Sequence, residues 1–129
     1  MQKTLLITGS TDGIGLETAK LIASQGHDVL LHGRNPTKLS AARDLVSQVS
    51  SGGRVEAYAA DLSRLDEVDS LAREVAEKHE RLDVLINNAG VFGTSNPATD
   101  DGLDVRPFAL QLLLLALGLV LRQLGNFVV

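Results

Sequence analysis

The chain has no cysteine and no tryptophan, and its aromatic content is one tyrosine and three phenylalanines. Without cysteine there is no disulfide, no thiol nucleophile and no thiolate metal site. So few aromatic rings leave almost no surface on which bases could stack, which speaks against single-stranded nucleic acid as a partner. The formal net charge of −4 points the same way. The three histidines, His27, His32 and His79, show no paired metal-ligand spacing, so no metal is expected and each reads as a surface or strand-end residue. The opening "MQKTLLIT" lacks the long apolar core of a signal peptide, and with the missing cysteine this makes a reducing, cytoplasmic setting the expectation. Aliphatic residues are what the chain has in quantity. Of its 129 residues 44% are hydrophobic, enough to bury the core of one domain.

Two periods alternate along the chain. "KTLLIT", "DVLLHG", "RVEAYAAD" and "LDVLINN" are short β-branched and aliphatic runs, at least three of them nearly continuous in apolar character, as in strands covered on both faces. Helical stripes lie between them. Ile14, Leu21 and Ile22 form the first, closed by Gly26 as a C-terminal cap. Leu39, Ala42, Leu45, Val46 and Val49 form the second, opened by Asn35 as N-cap with Pro36 in the first turn. Leu65, Val68, Leu71, Val75 and Ala76 form the third, where Ser63 and Asp66 have the spacing of a capping box with Asp in place of Glu or Gln. Alternation of this kind predicts an α/β fold, a parallel sheet doubly wound by right-handed crossovers with helices on both faces.

The turn after the first strand, "TGSTDGIG", spends its side chains on almost nothing. At such a strand-to-helix turn the first helical N–H groups have no partner and the helix dipole is positive, so a phosphate can satisfy both. Gly9 supplies backbone angles closed to other residues, Gly13 removes a side chain from the path of a pyrophosphate, and Gly15 lets the helix pack closely on the sheet. The spacing is G-x-x-x-G-x-G and not the G-x-G-x-x-G fingerprint.

"TGSTDGIG" at Thr8 to Gly15 and "NNAG" at Asn87 to Gly90 are similar to two signature segments of the short-chain dehydrogenase/reductase family. "DL" at Asp61-Leu62 falls where that family has an Asp after its third strand. The flanking "LLHGRNPTKL" and "DGLDVRPFAL" look most like its retinol-dehydrogenase-like branch. The resemblance covers almost the whole chain. It implies a Rossmann-type sheet, about four strands plus the start of a fifth, in a single domain over residues 1–129, and an oxidoreductase moving hydride between a nicotinamide cofactor and an alcohol or carbonyl. It further implies that Gly9, Gly13, Ile14 and Gly15 line the pyrophosphate and its ribose, and that Asp61, with Leu62 beside it, accepts a hydrogen bond from the adenine amino group. Asn87, Ala89 and Gly90 would close the cofactor channel and brace the central strands. At the end of the second strand an acidic residue would bond both ribose hydroxyls and repel a 2′-phosphate, whereas a guanidinium does the reverse. "HGRN" puts Arg34 there, which favours NADP, with Ser10 and Asn35 as helpers. Asp12 adds a negative charge to the glycine loop, and NAD stays open as the alternative.

Family catalysis uses a Tyr, a Lys one helical turn on, and a Ser that polarises the carbonyl. The tyrosine here is Tyr58, inside the third strand, and Leu62 stands four residues later. The family's Asn in the helix after "NNAG" aligns with Gln111, so no catalytic residue is assigned. The expectation is a cofactor-binding part without the C-terminal catalytic segment, inactive by itself. "GNFVV" reads as the opening of a fifth strand. Before it, Pro107 fits the first turn of a helix, Leu112 to Leu121 is apolar on every side, and Arg122 is the one charge of the final stretch. A helix of that kind is buried under more protein or in lipid. From Phe108 to Leu121 it would measure about 21 Å, short of a hydrocarbon core of roughly 30 Å, so no membrane span is expected. Contact with further protein through 107–124 is expected instead, with a second copy of the chain as one candidate. The alternative function is a non-catalytic nucleotide-binding or interaction protein that associates through this helix.

Overall fold

The structure is a computed structural model that describes residues 2–79, 82–88 and 127–128. Parallel strands β1 (Thr4–Ile7), β2 (Asp28–Gly33), β3 (Val55–Ala59), β4 (Val84–Ile86) and β5 (Phe127–Val128) form one sheet in the order β3-β2-β1-β4-β5. Helices α1 (Gly13–Ser24), α2 (Pro36–Val49) and α3 (Leu65–Lys78) connect the first four strands. Register pairs Leu6 with both Leu30 and Leu85, and His32 with Tyr58. Side chains alternate between faces with a period of two, so these residues share one face. That face packs Leu6, Leu30, Tyr58 and Leu85 against Val68, Leu71, Ala72 and Val75 of α3. The opposite face packs Ile7, Val29 and Leu31 against Ala19 and Ala23 of α1 and Leu39, Ala42 and Val46 of α2. The sheet is therefore doubly wound, as expected, and β1 and β2 read as nearly continuous apolar runs because both faces are covered, whereas β3 carries Glu56 and is only half-buried. Strand order reverses between β1 and β4, which puts a crevice at the carboxyl ends of those two strands.

The first helical stripe is corrected by the structure. Gly15, Ala19 and Ala23 are the buried residues of α1, while Ile14 is 79% and Leu21 60% exposed. Leu16 and Ile22 pack only partly against the core. Gly15 sets the phase of the helix, because a side chain there would run into the Gly9 carbonyl. With Gly15 turned inward, residues four and eight positions on follow it and Ile14 points out. On α2 Leu39, Ala42 and Val46 are buried as expected, but Leu45 and Val49 lie at the exposed margin. On α3 Val68, Leu71 and Val75 are core residues joined by Ala72, and Leu65 and Ala76 are half-buried.

The caps agree in two cases and differ in one. Gly26 follows α1 with φ +89 and its N–H donates to the Ala23 carbonyl, the left-handed ending that glycine makes cheap. Asn35 Oδ1 accepts from the N–H groups of Thr37 and Lys38 at 2.9 and 3.3 Å, ahead of Pro36. Asn35→Ala is expected to cost about 1 kcal/mol of stability, read as a lower urea midpoint with an unchanged slope. The expected Ser63–Asp66 capping box does not form. Arg64 is the N-cap of α3, and the Ser63 hydroxyl turns back to donate to Asp61 Oδ1 at 2.7 Å. Asp and Ser side chains close such local turns readily, and here that turn wins over the cap.

Two histidines are also corrected. His32 lies near the end of β2, a strand-end position as expected, but both it and His79 are buried, not superficial. The His79 ring nitrogen Nε2 lies 2.9 Å from the Tyr58 hydroxyl and ties the end of α3 to β3. His27 is half-buried, and its Nδ1 accepts from the Lys3 N–H. Among the described residues no cluster of His, Asp and Glu could hold a metal, and no helix is long and apolar enough to cross a membrane. Ala89, Gly90, Gln111 and the 107–124 segment lie outside the described residues.

Candidate functional site

Three chain segments meet at the carboxyl edge of the sheet. The first is the turn between β1 and α1. Gly9 has φ +63 and Gly13 φ +56, the left-handed region where glycine alone is unstrained. A Cβ at Gly13 would touch nothing within 4 Å among the described residues, so they leave the space in front of it open. Asp12 is the N-cap of α1, yet its side chain makes no capping hydrogen bond. Among the described residues the leading amides of α1 thus have no side-chain acceptor, and the positive end of the helix faces that open space. Ile14 projects from the same corner, at the head of an open groove of about 530 Å³ lined by Gly13, Ile14, Glu17, Thr18 and Leu21.

The second segment is the end of β4. The Asn88 N–H donates to Thr8 Oγ1 at 3.0 Å, and its side-chain Nδ2 donates to the Gly9 carbonyl at 3.0 Å. The same carbonyl and the same Nδ2 stand against Gly15, which is why that position has no room for a Cβ. Asn88 therefore clamps the glycine turn to the central strands. Asn87 is different. Its Oδ1 and Nδ2 are shielded from solvent and have no partner among the described residues. Shielded amide atoms of this kind call for a partner, because leaving them unpaired costs free energy.

The third segment is the edge formed by β2 and the turn after β3. Arg34 follows β2 directly and is exposed. Asp61 is half-buried. Burial pushes its carboxyl up, but the Ser63 hydroxyl and N–H and the charges of Arg34 and Arg64 outweigh this and hold it below the usual carboxylate range. It is an anion at neutral pH and a ready acceptor.

Not every expected residue faces the edge. Ser10 is fully buried, and its hydroxyl is spent on the His32 backbone, accepting from N–H at 2.9 Å and donating to C=O at 3.3 Å. Its side chain serves the loop and does not reach out to help Arg34. Leu62 sits in the core beneath α3, so only its backbone is near the crevice. Asn35 commits its Oδ1 to the α2 cap. Tyr58 is no proton carrier for this edge. Its phenol is pushed up to about 12, by burial first and then by Glu56 and Glu74, and its hydroxyl is engaged by His79 at the far end of α3. Three contributors were missed in the sequence: Asn88, hidden in the same "NNAG" segment; Thr11, whose methyl lies where a side chain on Gly33 would go; and His32. The signal for His32 was a polar residue directly after the apolar run Val29-Leu30-Leu31 in an interior strand.

A doubly wound parallel sheet with a glycine turn at its switch point is a Rossmann-type α/β domain. A model described as short chain dehydrogenase matches residues 3–106, and the chain belongs to that family. It is 35% identical over 104 residues to retinol dehydrogenase 13 of Homo sapiens, a match covering 81% of this chain and 31% of the relative. The crystal structure of a metagenomic short-chain oxidoreductase in complex with NADP is 36% identical with a TM-score of 0.80, covering 96% of this chain and 58% of that one. An NADH-dependent reductase, A1-R′, complexed with NAD is 27% identical with a TM-score of 0.76, covering 96% of this chain and 54% of that one. The chain spans about a third of the length of the curated relatives it matches.

Proposed function

We propose that these residues are the nucleotide-binding part of a short-chain dehydrogenase-type oxidoreductase and that the nucleotide is NADP(H). The observation that carries the reading is the start of α1, which opens without a side-chain cap onto free space at the switch point between β1 and β4. In this reading the leading amides of α1 and the bare Cα of Gly13 receive the pyrophosphate, with Gly9 and Gly15 shaping the turn and Ile14 shielding the adjoining ribose. Asp61 accepts from the adenine amino group, and the Leu62 backbone lies beside it. Asn87 presents to the nucleoside an amide that has no partner among the described residues, and the family resemblance assigns Ala89 and Gly90 to the same cofactor channel. Arg34 stands where a 2′-phosphate would sit and prefers NADP to NAD, with the Asn35 turn alongside. When bound, the nicotinamide supplies or accepts the hydride in exchange with an alcohol or carbonyl.

The proton carriers for that exchange are not among these residues, since Tyr58 is tied to His79. Binding without turnover is therefore the outcome expected of the chain alone. It is tested by a fluorescence titration with NADPH beside an assay of NADPH oxidation over a panel of aldehydes and ketones. Turnover by the chain alone would overturn the second half of this proposal. Gly13→Val is expected to weaken NADPH binding more than tenfold, because the new side chain occupies the phosphate's approach. The sheet should still form, because a Cβ at Gly13 meets no neighbour within 4 Å. Unchanged affinity in that variant would remove the loop from the site.

A further inference from the structure

His32 is the residue that joins two of the segments described above. Its Nδ1 lies 3.0 Å from the Gly9 N–H, and its Nε2 lies 2.9 Å from the Ala60 carbonyl, next to Asp61. An amide can only donate and a carbonyl can only accept, so one ring form satisfies both: neutral, with its proton on Nε2. Its own backbone holds Ser10 through N–H and C=O. One residue of β2 thus fixes two consecutive residues of the glycine turn and the end of β3. We propose that His32 is a positioning residue for the dinucleotide, holding the pyrophosphate turn and the adenine-side turn in one frame while its ring is neutral and releasing Gly9 when a proton enters Nδ1.

The surroundings favour the neutral ring. Burial lowers its pKa, opposed by the hydrogen bond to Ala60 and the charge of Asp61, and the net direction is down. Few titratable groups face it. Tyr58, its register partner on β3, is a phenol pushed up to about 12 and stays neutral. Asp61 in the turn after β3 is the anion whose field reaches the ring, and the Thr8 to Thr11 segment carries no ionisable side chain. Arg34, two residues on and just past the end of β2, acts on Asp61. The sign follows from linkage. Below the ordinary histidine value of about 6.5 the unfolded or released ring binds a proton that the held ring does not, so the held state loses ground as pH falls and levels off below the held ring's own pKa.

The functional half of this inference rests on the nucleotide reading, and the test separates the two. Gly9 amide protection factors and calorimetric NADP⁺ titrations are measured from pH 8 to pH 5 on the full chain, His32→Asn and His32→Gln. Asn keeps an acceptor near the Nδ1 position and cannot titrate; Gln keeps a donor near the Nε2 position and leaves Gly9 unpaired. In the wild type, Gly9 protection and NADP⁺ affinity should both fall by about tenfold on acidification, while the Leu6 and Leu30 amides stay protected. His32→Asn should keep Gly9 protected across the range, with only the ligand's own phosphate titration left in its binding curve. His32→Gln should show low protection and about tenfold weaker binding at every pH. Gly9 protection that ignores pH in the wild type, or a His32→Asn profile identical to the wild type, would overturn the inference. A wild-type chain whose Gly9 is released by acid but which binds no NADP⁺ at any pH would leave the positioning role standing and bring down the nucleotide reading.

Discussion

Gly15→Val is expected to abolish the proposed NADPH binding and to lower the folding free energy by about 3 kcal/mol, because it overfills a packed contact that cannot yield. A Cβ at this position runs into the Gly9 carbonyl oxygen and the Asn88 amide nitrogen. Neither neighbour is free to move. The Gly9 N–H is held by the His32 ring and its carbonyl accepts from Asn88, while the Asn88 backbone is fastened to Thr8 and Ile86. Relief therefore comes from α1 lifting off the sheet, which uncovers Ala19 and Ala23, both fully buried against β1 and β2. Gly13→Val is the contrast. Its position has φ +56 and empty space around it, so strain of about 1–2 kcal/mol is the whole structural cost. Urea denaturation followed by circular dichroism, run beside the NADPH titration, separates the two. A wild-type midpoint for Gly15→Val would mean that the contact with Gly9 is not what packs α1 onto the sheet.

Gly15 also marks the boundary of what could be read from the sequence. Strand-helix alternation, the parallel sheet, the coverage of both faces and the opening of a strand at Phe127 were legible because two-sided burial writes long apolar runs and cap residues punctuate them. The rotation of α1 was not legible. Ile14, Leu21 and Ile22 carry the larger hydrophobicity, but close approach to the sheet selects the small residues Gly15, Ala19 and Ala23, and no count of apolar residues weighs size against distance. The turn after β3 was misread for a related reason. Ser63 can cap a helix or close a turn on Asp61, and which of the two forms depends on Arg64 and Glu67 at the start of α3: Glu67 Oε1 accepts from the Asp61 N–H at 2.9 Å, and its Oε2 pairs with Arg64 Nε at 3.2 Å. Of the site, the glycine turn and Asp61 were visible as motifs. The polar residues that hold the turn from behind were not. Ser10 was read as reaching outward and is turned inward, while His32 and Asn88 act through a ring nitrogen and a side-chain amide whose partners lie on other strands. Such partners are assigned by strand order, which a one-dimensional pattern does not contain.

In the proposed reading the nucleotide preference turns on a single side chain, and Arg34→Asp is the substitution that should reverse it. Arg34 leaves the end of β2 exposed and makes no ion pair among the described residues, so its charge remains available to a ligand. Its field already reaches Asp61 and helps keep that carboxyl ionised. A guanidinium bonding a 2′-phosphate gives charge-assisted hydrogen bonds of about 1.5–3 kcal/mol, and a carboxylate in the same place repels the phosphate while accepting from free ribose hydroxyls. The expected result is an NADPH affinity lower by about 100-fold, or roughly 2.7 kcal/mol, with NADH affinity held or improved. A second readout is independent of any nucleotide. Taking away the positive charge and adding a negative one should raise the midpoint at which Asp61 titrates in the free chain, followed by the carboxyl carbon resonance. If the Asp61 midpoint rises while the ratio of NADPH to NADH affinity stays that of the wild type, Arg34 neighbours the adenine turn without touching the ribose phosphate, and the preference for NADP loses its structural basis.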